Sequence, residues 1–193
     1  MAKLYFRYGA MGSSKTANAL MVHYNYIERG SNAVLLKPRL ENRDGEMVIK
    51  SRIGLESECR FVEDFMDEIG KDWEKANDID AVIVDECQFL DAEQVDWLSD
   101  LVDYAQVPVI CYGLRTDFQS KFFPGSKRLM EIADKIEEIK TVCWCGRKAA
   151  VNARISDGKI VRDGQQVMMG GNESYIAICR KHFKLGMLSD EKK

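Results

Sequence analysis

Three groups of residues in this 193-residue chain have types and spacings that suit chemistry. The first is "GAMGSSKT", Gly9 to Thr16. It fits the phosphate-loop pattern G-x-x-x-x-G-K-[ST] at Gly9, Lys15 and Thr16, with Ser14 where the second glycine belongs. In such a loop successive backbone N–H groups turn onto phosphate oxygens. The lysine neutralises the β and γ phosphates and the hydroxyl binds Mg²⁺. Gly9, Ala10, Met11, Gly12, Ser13, Ser14, Lys15 and Thr16 are therefore the expected cradle. Ser14 directly precedes a helix, where right-handed dihedrals are expected to be tolerated, and Gly12 supplies further freedom. A glycine-rich turn before an unrelated Lys-Thr pair is the bland alternative.

The second group is Asp85-Glu86, at the end of the apolar run in "AVIVDECQF". An acid at the C-terminal end of a buried parallel strand stands where a phosphate-loop protein needs a partner for Mg²⁺. Asp85 is the candidate for that role, through metal-bound water. Glu86 is the candidate general base on a substrate hydroxyl. Two solvated acids before a loop are the alternative. The third group is Cys143-x-Cys145 with Cys179-x-x-His182. Thiolates and imidazole are good tetrahedral Zn²⁺ ligands, and a closed set of four implies a structural metal. Free thiols in a β-rich appendage would be the competing reading. Cys59, Cys87 and Cys111 lack partners at ligand spacing; Cys87 and Cys111 sit in apolar strand contexts that predict burial.

The elements around these groups are legible as an alternation. "KLYFRYG" reads as a strand that delivers the phosphate loop. "KTANALMVHYNYIERG" reads as a helix with Ala17, Leu20, Met21, Tyr24 and Ile27 on its apolar face and Gly30 past its end. "NAVLLKP", "DAVIVDE" and "VPVICYGL" read as buried strands. "FVEDFMDEIGKDWEK" reads as one helix with Phe61, Phe65, Ile69 and Trp73 on a face. "DAEQVDWLSDLVDYA" carries a capping box, Asp91 with Gln94. "GSKRLMEIADK" reads as a helix and "EEIKTV" as a last core strand. Residues 39–57 read as a polar mobile loop or weak hairpin. Strands alternating with helices predict a parallel sheet covered on both faces. After Val142 the chain turns Gly-rich and turn-rich between its two cysteine pairs, which predicts a small second unit. The expected division is 1–142, 143–186 and a disordered tail, 187–193.

Composition narrows the class. The chain is 46% hydrophobic and 31% charged, as in globular proteins, and long enough to bury a real core. A net charge of −3 argues against binding to duplex nucleic acid. No secretory h-region opens the chain, and no apolar run approaches the roughly 18 residues of a spanning helix. The expectation is a cytoplasmic protein with reduced thiols and no membrane partner.

Taken in order along the chain, "YGAMGSSKT", "DECQF", "YGLRTDF", "FFPGSKRL", "CWCGRKA" and "GGNESYIAICRKH" resemble the type II (human cytosolic-like) thymidine kinases, in the form of a bacterial member. The resemblance covers nearly the whole chain. It implies a RecA-like P-loop parallel sheet flanked by helices, with a small C-terminal zinc-binding lasso that closes over the nucleoside. It implies transfer of the γ-phosphate of ATP to the 5′-hydroxyl of thymidine or deoxyuridine, with Glu86 as general base. Gly9 to Thr16 then hold the donor phosphates, beside Asp85, Glu86, Cys87 and Gln88. Phe89, Leu114, Phe118, Phe123 and Tyr175 match the apolar nucleoside pocket, Met11 a P-loop methionine facing the base, and Asn152 a polar position near it. Met168, Met169, Gly170 and Gly171 match the segment whose backbone bonds the pyrimidine edge. Arg43 matches an arginine near the reacting phosphate. Structural Zn²⁺ on Cys143, Cys145, Cys179 and His182, Mg²⁺ with ATP, a homotetramer and dTTP inhibition follow from the same resemblance.

Three departures stand out. Ser14 replaces a glycine, Glu41 stands where the family often has Asp, and the C-x-C spacing is tighter than in the animal enzymes. Two other functions compete: a RecA-like ATPase acting on nucleic acid, against which acidity and short length count, and a non-catalytic nucleotide sensor.

Overall fold

The computed structural model describes residues 1–41, 45, 47–166 and 175–189. Six strands form one sheet: β1 (Leu4–Tyr8), β2 (Ala33–Lys37), β5 (Arg60–Phe61), β6 (Ala81–Val84), β7 (Val109–Gly113) and β8 (Lys135–Glu138). Their order is β5-β2-β6-β7-β1-β8, and every neighbouring pair is parallel. Parallel strands need crossovers, so helices cover both faces. α1 (Lys15–Glu28) packs on one face, over Leu35, Ile83 and Tyr112. α2 (Val62–Ile69), α3 (Ala92–Ala105) and α4 (Pro124–Ile132) cover the other, over Phe6, Val84 and Val109. β3 (Val48–Lys50) and β4 (Glu56–Glu58) form the small antiparallel hairpin allowed for residues 39–57, running one residue beyond that segment.

Local rules account for the helix ends. Asp91 accepts from the Gln94 N–H at 2.8 Å and its own N–H donates to the Gln94 side chain at 2.9 Å, so the predicted capping box is complete. Pro124 opens α4, where its missing N–H costs nothing. Gly30 ends α1 with φ +78.

Four expectations need correction. Residues 61–75 are not one helix: α2 stops at Ile69, Gly70 turns with φ +59, and Trp73–Ala76 form a separate 3₁₀ turn. Trp73 still reaches the core by packing on Trp97, with centroids 5.8 Å apart. Phe61 pairs in the edge strand β5. The last core strand is Lys135–Glu138, earlier than "EEIKTV", because its register is set by Tyr5–Tyr8 of β1. On α1 only Ala17, Ala19 and Leu20 join Lys15 as buried residues, whereas Met21, Tyr24 and Ile27 are about half exposed. The sheet accepts a narrower stripe than the apolar periodicity outlines.

The C-terminal part holds a second, antiparallel sheet in the order β10-β9-β11, from β9 (Val151–Ser156), β10 (Lys159–Val161) and β11 (Tyr175–Ile178). A short helix, α5 (Arg180–Leu185), follows and was not foreseen. Among the described residues, no helix is long and apolar enough to cross a membrane.

Candidate active site

β1 ends at Tyr8, and the chain turns through residues 9–14 into α1. Gly9 is required by its neighbours: a Cβ there would lie 2.3 Å from Ser13 Oγ and 2.4 Å from the Ile139 carbonyl. Gly12 is left-handed, with φ +73. Ser14 is left-handed too, at φ 62 and ψ 27, not right-handed as expected. The loop keeps the shape a glycine would take, at a strain of about 1–2 kcal/mol for an L-residue. Ser14 is exposed and lines the same cleft as Lys15, Asp85 and Glu86.

Lys15 is only 8% exposed, and its Nζ donates to the Ala10 carbonyl at 2.9 Å and lies 3.4 Å from Ser13 Oγ. Burial pulls its pKa below the ordinary range, and the Glu86 and Asp85 carboxylates oppose that. β6 does not neighbour β1; β7 lies between them. The acids that follow β6 therefore face the loop across one intervening strand. The Thr16 hydroxyl lies near the Asp85 carboxylate and favours its charged form. Asp85 is 2% exposed, and its Oδ1 has no hydrogen-bond partner among the described residues. A buried carboxylate oxygen left open beside a threonine hydroxyl suits a hard divalent cation with oxygen ligands.

Glu86 follows in a left-handed conformation, φ 52. Such an outlier persists only where its surroundings over-determine it. Here the neighbour is Gln88, 1% exposed, whose amide donates to the Glu86 carboxylate while its carbonyl oxygen accepts from the Leu114 N–H at 2.9 Å. Gln88 thus ties the carboxylate to the end of β7. Cys87 points into the apolar core with 0% exposure, so only its backbone remains for ligand contact. Cys111 and Cys59 are buried as well.

A cleft of about 600 Å³ joins these parts, lined by Met11, Lys15, Thr16, Asp85, Glu86 and Leu114 on one side. Its other wall comes from Lys37, Glu41 and the β3–β4 turn with Arg52. Lys37 is 1% exposed and donates to the carbonyls of Gly45 at 2.6 Å and Val48 at 2.9 Å. Glu41, 4% exposed, lies 3.5 Å from it as an ion pair. Lys37 and Arg52 escaped the sequence reading. A lysine closing an apolar run was the only signal for the first, and nothing local marks the second.

The aromatic residues fall into two groups outside that lining. Phe89 and Phe123 meet edge to face, with centroids 5.9 Å apart. Phe118 is 1% exposed beneath the Arg154 guanidinium, which also bonds Tyr175. Asn152 connects the second sheet to the phosphate loop: its Oδ1 accepts from the Met11 N–H at 2.7 Å, and its amide donates to the Thr116 carbonyl at 3.3 Å. Arg43, Met168, Met169, Gly170 and Gly171 lie outside the described residues.

The four expected metal ligands converge. Their ligand atoms all lie within 4.8 Å of one another. Cys179 Sγ is 3.4 Å and Cys143 Sγ 3.5 Å from His182 Nδ1, and Cys145 Sγ is 4.0 Å from Cys179 Sγ. A tetrahedron with Zn–S bonds of about 2.3 Å has edges of roughly 3.8 Å, so the donor set fits zinc. Trp144 stacks on His182 at 4.1 Å and 11°.

Burial, with the Glu86 carboxylate adjacent, pushes the Asp85 carboxyl up to about 7, against the opposing influence of the nearby Thr16 hydroxyl. A carboxyl whose folded pKa is raised binds more protons folded than unfolded between about pH 4 and 7, so stability falls as pH rises through that window. Asp85→Asn is expected to raise the melting temperature of the ligand-free protein above pH 7, with the gain shrinking toward pH 4. Thermal unfolding between pH 4 and 8 checks this; a constant difference between variant and wild type would contradict it.

A parallel α/β sheet with a phosphate loop after its first strand and paired acids after a non-adjacent one defines a P-loop nucleotide-binding protein. The family model described as "TK: Thymidine kinase" matches residues 2–183, and the chain belongs to the thymidine kinase family. A thymidine kinase of Shewanella oneidensis is 46% identical over 187 residues, 95% of this chain and 97% of the relative. One of Zymomonas mobilis is 47% identical over 186 residues, 95% of this chain and 96% of its own. One of Enterobacteria phage T4 is 48% identical with the same coverage.

Proposed function

We propose that the protein transfers the γ-phosphate of ATP to the 5′-hydroxyl of thymidine, and of deoxyuridine, in pyrimidine salvage. The observation that carries this is the juxtaposition of Lys15, Thr16, Asp85 and Glu86 on one cleft, within a family named for thymidine phosphorylation. Phosphoryl transfer asks mainly for positioning and charge neutralisation. The backbone of Gly9 to Thr16 holds the donor phosphates and Lys15 lies against their β and γ oxygens. Thr16 and Asp85 are the residues that would hold Mg²⁺. When bound, the ion would supply charge neutralisation for the transferring group. Glu86, steadied by Gln88, takes the proton of the attacking hydroxyl. Arg52 brings a cation to the same cleft, and Arg43 remains a candidate for stabilising transition-state charge.

On the acceptor side, Met11, Phe89, Leu114, Phe118, Phe123, Asn152 and Tyr175 form the nucleoside pocket, with backbone from Met168 to Gly171. Residues 143–186 act as the lasso over it, and Zn²⁺ on Cys143, Cys145, Cys179 and His182 holds that lasso in shape. A cytoplasmic homotetramer inhibited by dTTP completes the reading, supported by family membership alone.

A panel of nucleosides with ATP and Mg²⁺, scored for monophosphate, is the direct test. Thymidine and deoxyuridine are expected to turn over and purine nucleosides to fail. Turnover of no nucleoside, or ATP hydrolysis stimulated by single-stranded DNA, would overturn the proposal.

A further inference from the structure

Arg154 sits in the middle of β9 and is only 4% exposed. Among the described residues no carboxylate pairs with it. Its guanidinium is satisfied another way. Nε donates to the Tyr175 hydroxyl at 2.8 Å, and the two terminal nitrogens donate to the carbonyls of Gln165 at 2.9 Å and Gln166 at 3.2 Å. Its Cζ lies 3.7 Å from the centroid of Phe118 and 5.3 Å from that of Tyr175. A buried guanidinium is costly to desolvate, and an apolar side chain would fill the same volume without that cost. What the apolar residue would lack is the planar fork, which fixes three acceptors and one ring face at once.

Two of the groups so fixed, Phe118 and Tyr175, belong to the proposed acceptor pocket. Asn152 stands two residues before Arg154, on the same face of β9, and bonds the Met11 N–H. One strand face therefore ties the phosphate loop and both aromatic walls to a common reference. We propose that Arg154 is a positioning residue of the acceptor site, setting the places of Phe118 and Tyr175 and so the affinity for the nucleoside. It leaves the donor site and the phosphoryl step alone. This rests on reading Phe118 and Tyr175 as nucleoside contacts.

The loop that carries Phe118 has its own support, so an Arg154 variant should fold. Asp117 Oδ1 accepts from the N–H groups of Gln119 at 2.8 Å and Lys121 at 2.9 Å. Asp117 Oδ2 accepts from the Gln166 amide at 2.9 Å.

Steady-state kinetics of the full chain with ATP, Mg²⁺ and thymidine test the proposal, using Arg154→Lys, Tyr175→Phe and the double variant. Lysine keeps the charge and the stem but loses the fork and the plane. Arg154→Lys is expected to raise the thymidine KM by about 10-fold or more, the scale of a lost pocket contact. Both kcat and the KM for ATP should stay within about threefold. The double variant should be no worse than Arg154→Lys, because the Tyr175 hydroxyl contributes through its bond to the guanidinium fork, which lysine already lacks. A wild-type thymidine KM in Arg154→Lys, or a loss confined to kcat, would overturn the positioning role. So would fully additive effects. A wild-type enzyme that phosphorylates no nucleoside would instead overturn the underlying reading of the pocket.

Discussion

Replacing Glu86 by glutamine is expected to lower kcat for thymidine phosphorylation by about 10²-fold or more, the usual scale for a general base. Binding of thymidine and of ATP with Mg²⁺ should stay close to wild type. Glutamine has the same length and planarity, so the left-handed backbone at φ 52 has no new reason to relax. The Gln88 amide still finds an oxygen acceptor, so the tie to Leu114 survives. What disappears is a group able to take the hydroxyl proton. Single-turnover kinetics alongside calorimetric titration separate the two effects. Normal binding with wild-type turnover would remove Glu86 from the mechanism. Asp85→Asn should differ in kind: it removes a metal-facing oxygen, so the loss there should include weaker binding of ATP with Mg²⁺.

Removal of the proposed zinc is expected to have the second large effect. Metal analysis of the purified protein is expected to give about one Zn²⁺ per chain, as one four-ligand site requires. The apolar cluster at this end holds Cys143, Ala149, Ala153, Ile178 and Cys179 as its buried members, and two of these are ligands. Among the described residues this apolar cluster is small, so a metal held by the four ligands would offset much of the ordering entropy of a turn-rich segment. Chelation, or Cys145→Ser at the half-exposed ligand, should loosen residues 143–186 while the six-stranded sheet stays folded. Nucleoside phosphorylation should fall at least about 10-fold, because Asn152, Arg154 and Tyr175 belong to this part. Trp144 offers a local signal: stacked on His182, it should change its fluorescence when the metal leaves. Trp73 and Trp97 pack on each other in the main core and should not respond. A metal-free protein that is folded and fully active would refute the zinc assignment.

Much of the site was legible because its signals are local. The loop from Gly9 to Thr16, the Asp85-Glu86 pair and the capping box at Asp91 each lie within one turn of chain, where spacing alone decides what can meet. The cysteine pairs were legible for the same reason, each pair being set by its own short spacing. Local reading also failed locally: the apolar stripe through residues 61–75 overrode the glycine at 70, which breaks the helix. On α1 the periodicity named Met21, Tyr24 and Ile27, yet the sheet beneath takes only Ala17, Ala19 and Leu20.

By itself, then, the sequence determined the alternation of strands and helices, the phosphate-loop segment, the paired acids and the Cys/His group that converges. All of these follow from backbone geometry and side-chain chemistry over a few residues. Only the tertiary structure decided how they are held. Gln88 reaches Leu114 26 residues on, Arg154 reaches Tyr175 21 residues on, and Asn152 meets Met11 across 141 residues. Lys37 is buried, and its ammonium donates to the carbonyls of Gly45 and Val48. Such contacts depend on where a parallel sheet brings distant strand ends together, and no short-range period encodes that. Ser14 belongs with them. Its left-handed turn is imposed by the strand and helix it joins, since the residue's own preference opposes it.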